Sequence, residues 1–200
     1  YISPKVVSID MNNIRCENQY SICNNFTVTD KADGLNMLLF KVGLSHLDVD
    51  IRDRYAKYNN QLFLIDSNNN VYQTKIKTVN NSGSYLFNGE YMLKDESNDI
   101  LNKYGVFDCY IYSDTKANED VCNLELMSMD LSKKTRIGLA NKYFSNDYIN
   151  TNENTDDFSV FVKEFKMATD TDDIFAQSSI LWNNYTSGKI NTKINRRYKL

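Results

Sequence analysis

The chain has 200 residues, of which 42% are hydrophobic and 24% charged, and it carries a formal net charge of −3. Such a composition is globular and supports one sizeable core; it excludes a disordered chain, and its longest apolar runs, such as Met37 to Phe40, fall far short of a membrane span. The acidic balance removes any overall electrostatic drive toward nucleic acid, so RNA contact would have to come from local patches, the most basic being Lys189 to Lys199 with Lys193, Arg196 and Arg197.

Pro4 is the only proline. With no Gly/Ser-rich linker and no internal repeat, a single domain over residues 1–200 is expected. The chain opens at Tyr1 without a secretory signal, which reads as an excerpt of a longer protein. The cysteines Cys16, Cys23, Cys109 and Cys122 form no CxxC, and His46 is the only histidine. Zinc or a cysteine–histidine catalytic pair is therefore poorly supported, and reduced, largely buried thiols are expected. The triplets starting at Asn25, Asn80 and Asn184 fit a glycosylation pattern that an asparagine-rich chain produces by chance.

The first half reads as β-rich. Phe26-Thr27-Val28-Thr29 alternates, and Leu35 to Val42 is a longer apolar strand. Leu62 to Ile65 and Val71 to Ile76 flank Asp66-Ser67-Asn68-Asn69-Asn70, whose asparagines tolerate the positive φ of a hairpin turn. Tyr85 to Leu93 and Tyr104 to Tyr112 are two further strands. The second half carries helical spacing at Ile137, Ala140 and Phe144. Another strand alternates through Phe158, Val160 and Val162. A second helix is spaced on Ile174, Gln177 or Ser178, Leu181 and Tyr185, with Asp172 and Asp173 placed to favour its start. Antiparallel strands with helices outside them give an α+β domain.

The stretch that carries chemistry is Thr29-Asp30-Lys31-Ala32-Asp33-Gly34-Leu35. A lysine lies between two expected strands, followed by Asp and then Gly. A bend there would present Lys31 from a strand end, and Gly34 would permit close backbone approach. A lysine is a competent nucleophile only as the neutral amine, which desolvation or a neighbouring cation favours. Asp33 is placed to orient the amine or help hold a metal. Alone, the four residues would read as a simple Asp-Gly turn.

Two further blocks follow in order, Phe87-Asn88-Gly89-Glu90 and Val106-Phe107-Asp108-Cys109. With Lys31 to Gly34 they resemble the three successive motifs of the covalent nucleotidyltransferase superfamily, which comprises mRNA-capping guanylyltransferases and polynucleotide ligases. Within it the chain looks most like the capping enzymes of large cytoplasmic DNA viruses. That likeness rests on Val28 to Gly34, Leu64 to Asn68 with Val71-Tyr72, and Asp172 to Phe175 leading to Trp182.

The resemblance implies an antiparallel-sheet nucleotidyltransferase domain of the ATP-grasp-like, ligase type. It also implies a set of roles. Lys31 would attack the α-phosphorus of GTP, release pyrophosphate and retain GMP, which then passes to 5′-diphosphate RNA. Asp33, Gly34, Asn36, Glu90 and Phe107 would bind the nucleotide, Phe107 by stacking on the purine. Glu90 and Asp108 would stand near a Mg²⁺ or Mn²⁺ ion, because triphosphate chemistry depends on charge neutralisation and in-line positioning. The implied partners are GTP, capped-end RNA precursors and other domains or subunits of a capping enzyme, with no membrane. The implied setting is cytoplasmic, in a viral factory or virion.

The sequence departs from the pattern in two places: Asn36 stands where the family often has Arg, and Asn88 where it usually has Asp. The later Glu-Gly and paired-lysine motifs and the closing OB-fold barrel are not recognisable, Tyr198-Lys199-Leu200 standing where a further motif strand would begin. The expectation is a partial domain, incomplete toward its C-terminus and weak or inactive alone. An ATP-dependent polynucleotide ligase, a non-catalytic scaffold with the same fold, and an α+β domain with accidental motif matches are the alternatives.

Overall fold

Strand formation in this chain follows from side chains that alternate between a buried and a more open face. In β2 (Leu35–Lys41), Met37, Leu39 and Lys41 are buried, while Asn36 is exposed and Leu38 and Phe40 are half-buried. The computed structural model describes residues 8–15, 21–23, 26–44, 47–78, 83–94, 98–114, 117–119, 121–146 and 158–186. His46, Cys16, the triplet at Asn80 and the basic stretch from Lys189 lie outside them. The chain divides into two compact units, one made of Tyr1–Ala32 with Lys163–Leu200 and the other of Asp33–Val162.

The second unit is built on a seven-stranded mixed sheet. After β1 (Thr27–Thr29), which belongs to the first unit, and β2 come β3 (Gln61–Ile65), β4 (Val71–Lys77), β5 (Tyr85–Lys94), β6 (Ile100–Asp114), β7 (Ala117–Glu119) and β8 (Ser159–Val162). The order is β4-β3-β2-β5-β6-β7, antiparallel throughout, and β8 adds to β6 in parallel. The expected hairpin forms between β3 and β4. Asp66 Oδ1 accepts the N–H groups of Asn68 and Asn70 at 2.8 and 2.9 Å, and Asn69 takes φ 65°, which asparagine tolerates better than most residues.

The core gathers Met37, Leu39, Leu62, Leu64, Tyr85, Phe87, Tyr104 and Val106 from the sheet. The helix expected on Ile137, Ala140 and Phe144 forms at Arg136–Asn146, and Leu139, Ala140 and Tyr143 pack into that core. A helix at Val49–Tyr55, which the periodicity does not signal, has no buried residue and stays on the surface. Lys41 is fully buried in the sheet, yet its Nζ donates to the Gly83 carbonyl at 2.6 Å and lies 5.4 Å from the centre of the Tyr85 ring. The buried charge is thus hydrogen-bonded and faces a π-system.

In the first unit, β1 pairs antiparallel with β9 (Phe165–Met167), Val28 opposite Lys166. A short helix at Met11–Ile14 is capped by Asp10, and a longer one at Ile174–Thr186 packs on both strands. Asp173 starts the longer helix as expected, its Oδ1 accepting the Ala176 N–H at 2.8 Å. Numbered in chain order, the α-helices among the described residues are α1 (Met11–Ile14), α2 (Val49–Tyr55), α3 (Arg136–Asn146) and α4 (Ile174–Thr186). No helix among the described residues is long and apolar enough to cross a membrane.

Cys109 is a buried thiol outside any disulfide, whereas Cys23 is disulfide-bonded. The expectation of reduced thiols therefore fails at Cys23. Pairing depends on two sulfurs meeting in space, which linear spacing does not reveal.

Candidate functional site

The three motif strands are neighbours in the sheet. β2 carries Asn36 opposite Glu90 of β5, and β5 carries Asn88 opposite Asp108 of β6. Directly opposed residues share a face, so Asn36, Asn88, Glu90 and Asp108 project to the side away from Met37 and Leu39. Opposed Cβ atoms in such a ladder lie about 4.5–5.5 Å apart, and an extra residue of β6 separates Asp108 from the position opposite Gly89.

Gly34 stands just before β2, and its N–H donates to Glu90 Oε1 at 3.0 Å. A Cβ at Gly34 would lie 2.6 Å from the Tyr91 carbonyl oxygen and 2.8 Å from Glu90 Cγ. Glycine is required here for room, so that the chain can close onto the neighbouring strand. Asp33 and Asn36 are exposed and Glu90 is half-buried.

Gly89, between Asn88 and Glu90, has the same kind of role on the opposite face. The Tyr104 ring lies over it, and a Cβ there would come within 2.5 Å of both that ring and the Gly105 carbonyl oxygen. The Tyr104 hydroxyl donates to the Met37 carbonyl at 2.7 Å. One fully buried phenol thereby clasps β6 across β5 to β2, and burial holds its titration well above the ordinary tyrosine range.

Phe107 is the extra residue that β6 inserts between the Asp108–Asn88 and Val106–Gly89 pairs. Such a bulge re-aims a side chain locally. The ring is half-buried and stands outside the buried core cluster.

Asp108 has a partner that spacing did not suggest. Arg136, at the start of α3, donates from Nε to Asp108 Oδ1 at 2.7 Å and from Nη2 to Oδ2 at 3.3 Å. The Cys109 N–H also donates to Oδ1, at 2.8 Å. Burial pushes the Asp108 carboxyl above its ordinary value, against the pull of the Arg136 guanidinium. Asn88, in the position where an acid was expected, is buried and donates to the Tyr110 hydroxyl at 2.8 Å. No local signal links Arg136 to Asp108 across 28 positions; only the packing of α3 against β6 brings them together.

These partners bear on the expected divalent cation. Both oxygens of Asp108 are engaged by Arg136, and among the described residues no three His, Cys, Asp or Glu side chains converge on one point. The donor set does not fit a metal held by the protein alone.

Lys31 lies in the other unit, since the division falls between Ala32 and Asp33, inside the Lys-x-Asp-Gly motif. Its side chain is exposed, and its Nζ donates to the Ala32 carbonyl at 3.4 Å. The carboxylate before it, Asp30, pairs instead with Lys163, the residue just after β8. Lys163 Nζ lies 3.9 Å from Asp30 Oδ2 and donates to the Asp30 carbonyl at 3.1 Å. The sequence offers one hint of Lys163: it directly follows the apolar residues Val160, Phe161 and Val162.

The fold therefore joins Gly34, Asn36, Glu90 and Asp108 in one sheet, with Phe107 at a bulge beside them, and holds Lys31 at the end of β1. The exposed Asn36 amide, the half-buried Glu90 carboxylate and the half-buried Phe107 ring are groups suited to hydroxyls and a planar base. Compared with known proteins, the sequence matches no family model and no curated protein.

Proposed function

We propose that the chain is the nucleotide-binding core of an mRNA-capping guanylyltransferase with the covalent nucleotidyltransferase fold. The observation that carries this reading is the hydrogen bond from Gly34 to Glu90, two motif residues 56 positions apart. Gly34 stands just before β2 and Glu90 lies in β5, strands not consecutive in the chain, and their direct contact is what two motifs that serve one nucleotide would show. The bulge at Phe107, on the next strand, supports the same reading.

In the first half-reaction the neutral Lys31 amine attacks the α-phosphorus of GTP. A P–N bond forms as the P–O bond to the β-phosphate breaks, pyrophosphate leaves with the electron pair, and the amine proton passes to solvent. In the second, a terminal oxygen of 5′-diphosphate RNA attacks the same phosphorus and the lysine nitrogen leaves, regaining a proton. Phe107 supplies the stacking surface, and Glu90 with Asn36 supplies polar partners for the nucleoside. A capping enzyme's other domains or subunits are the expected partners.

A second reading, a non-catalytic scaffold with this fold, is favoured by one observation. The positions expected to be acidic or metal-bound are committed internally, Asn88 to Tyr110 and Asp108 to Arg136. The test is to incubate the full protein separately with α-labelled GTP and ATP. A labelled GMP adduct that disappears in Lys31→Met supports capping. An adduct with ATP alone points to a ligase, and no adduct with either leaves the scaffold.

A further inference from the structure

We propose that Lys163 is a positioning residue for Lys31, occupying the Asp30 carboxylate so that the adjacent lysine amine is not drawn into that ion pair. The inference rests on the reading of Lys31 as a nucleophile, and it concerns groups of one unit only.

Asp30 and Lys31 are consecutive, so the nearest cation in the sequence to the Asp30 carboxylate is Lys31 itself. In the structure that carboxylate faces Lys163 instead, and both partners of the pair are almost wholly buried, at 3% and 6% side-chain exposure. Lys163 also holds the Asp30 main chain through its carbonyl at 3.1 Å. Thr29 completes the setting, its hydroxyl donating to the Glu164 carbonyl at 2.6 Å and lying 3.3 Å from Asp30 Oδ1.

Among the described residues of this unit, the other charges near these strands are engaged elsewhere. Glu164 pairs with Lys166 at 2.7 Å. Helix α4, which packs against both strands, contains no charged residue. Asp172 and Asp173, before it, are occupied by Thr171 and by the α4 N-terminus. Among the described residues, Lys163 is therefore the cation that faces Asp30. A lysine salt-bridged to its neighbour is an ammonium with no lone pair to offer phosphorus, so removing Lys163 hands the buried carboxylate to Lys31 and silences it.

The test uses the full protein with Lys163→Met, Lys163→Arg, Asp30→Asn and the double variant Lys163→Met/Asp30→Asn. Two quantities are read: kcat and KM for adduct formation with labelled GTP, and the extent of Lys31 modification by a small amine-reactive ester at one fixed pH, measured by peptide mass spectrometry. In Lys163→Met, kcat falls by roughly tenfold to a hundredfold with KM little changed, as expected when a reacting group is held out of place, and Lys31 modification falls in parallel. Adding Asp30→Asn restores both, and Lys163→Arg retains both. If Lys163→Met does not fold, the Arg and double variants carry the comparison, because each keeps the site's charge balanced. Lys31 modification that ignores Lys163, or that Asp30→Asn does not restore, overturns the inference. Modification that follows Lys163 in a protein forming no nucleotide adduct would instead sink the capping reading and leave this one standing.

Discussion

Gly34 donates its main-chain N–H to the Glu90 carboxylate at 3.0 Å, so the glycine of the first motif and the acid of the second share one hydrogen bond. Replacing Gly34 with Ala drives a methyl group to 2.6 Å from the Tyr91 carbonyl oxygen, a backbone atom that cannot swing aside. Overpacking of this kind costs about 1–3 kcal/mol. Gly34→Ala should lower the denaturant midpoint by that amount and weaken nucleotide binding, read by titration. Glu90→Gln, which keeps an acceptor oxygen for Gly34, should leave stability nearly unchanged while lowering adduct formation.

Gly89 is tighter still, because the Tyr104 ring and the Gly105 carbonyl both stand within 2.5 Å of the point an alanine methyl would occupy. Gly89→Ala should therefore destabilise more than Gly34→Ala. Tyr104→Phe removes only the hydroxyl that donates to Met37 and should cost about 1–3 kcal/mol for the acceptor left without it. Thermal melts of the two glycine variants, ranked in that order, check the argument.

Arg136→Met leaves the Asp108 carboxylate buried without its guanidinium, a loss of about 3–5 kcal/mol for a broken buried pair. The pH dependence has a definite sign. Burial already raises the folded Asp108 carboxyl above its ordinary 3.8, and removing Arg136, which pulls it down, raises it further. The folded variant then holds its proton more tightly than the wild type. Stability tied to that proton is complete below the unfolded value and is lost as pH rises through the folded one. The deficit of Arg136→Met should thus be small in acid and widen toward neutrality, as seen by denaturant midpoints measured across pH.

Phe107 lies at a bulge and outside the buried core cluster. Phe107→Ala should consequently cost less stability than truncating a core aromatic such as Phe87. If the ring stacks on the base, its loss weakens nucleotide binding by about 1–3 kcal/mol, roughly tenfold to a hundredfold in Kd. Binding of a labelled nucleotide to a variant with a wild-type melting curve separates the two effects. An unchanged Kd would remove Phe107 from the site.

Local pattern alone determined most of the longer strands and helices of this protein, though not the surface helix Val49–Tyr55 or the short strand Phe165–Met167. Alternation at Met37 and Leu39, the asparagine turn after Asp66, and the spacing of Ile137, Ala140 and Phe144 are short-range signals, and each appears where it was expected. Tertiary structure decided the partners. Asp108 was expected near a metal and faces Arg136; Asp30 is followed by Lys31 and faces Lys163; Cys23 was expected as a thiol and is bonded. The physical reason is range: periodicity acts over a few residues, whereas a buried charge takes whichever opposite charge the packing of distant elements brings within reach.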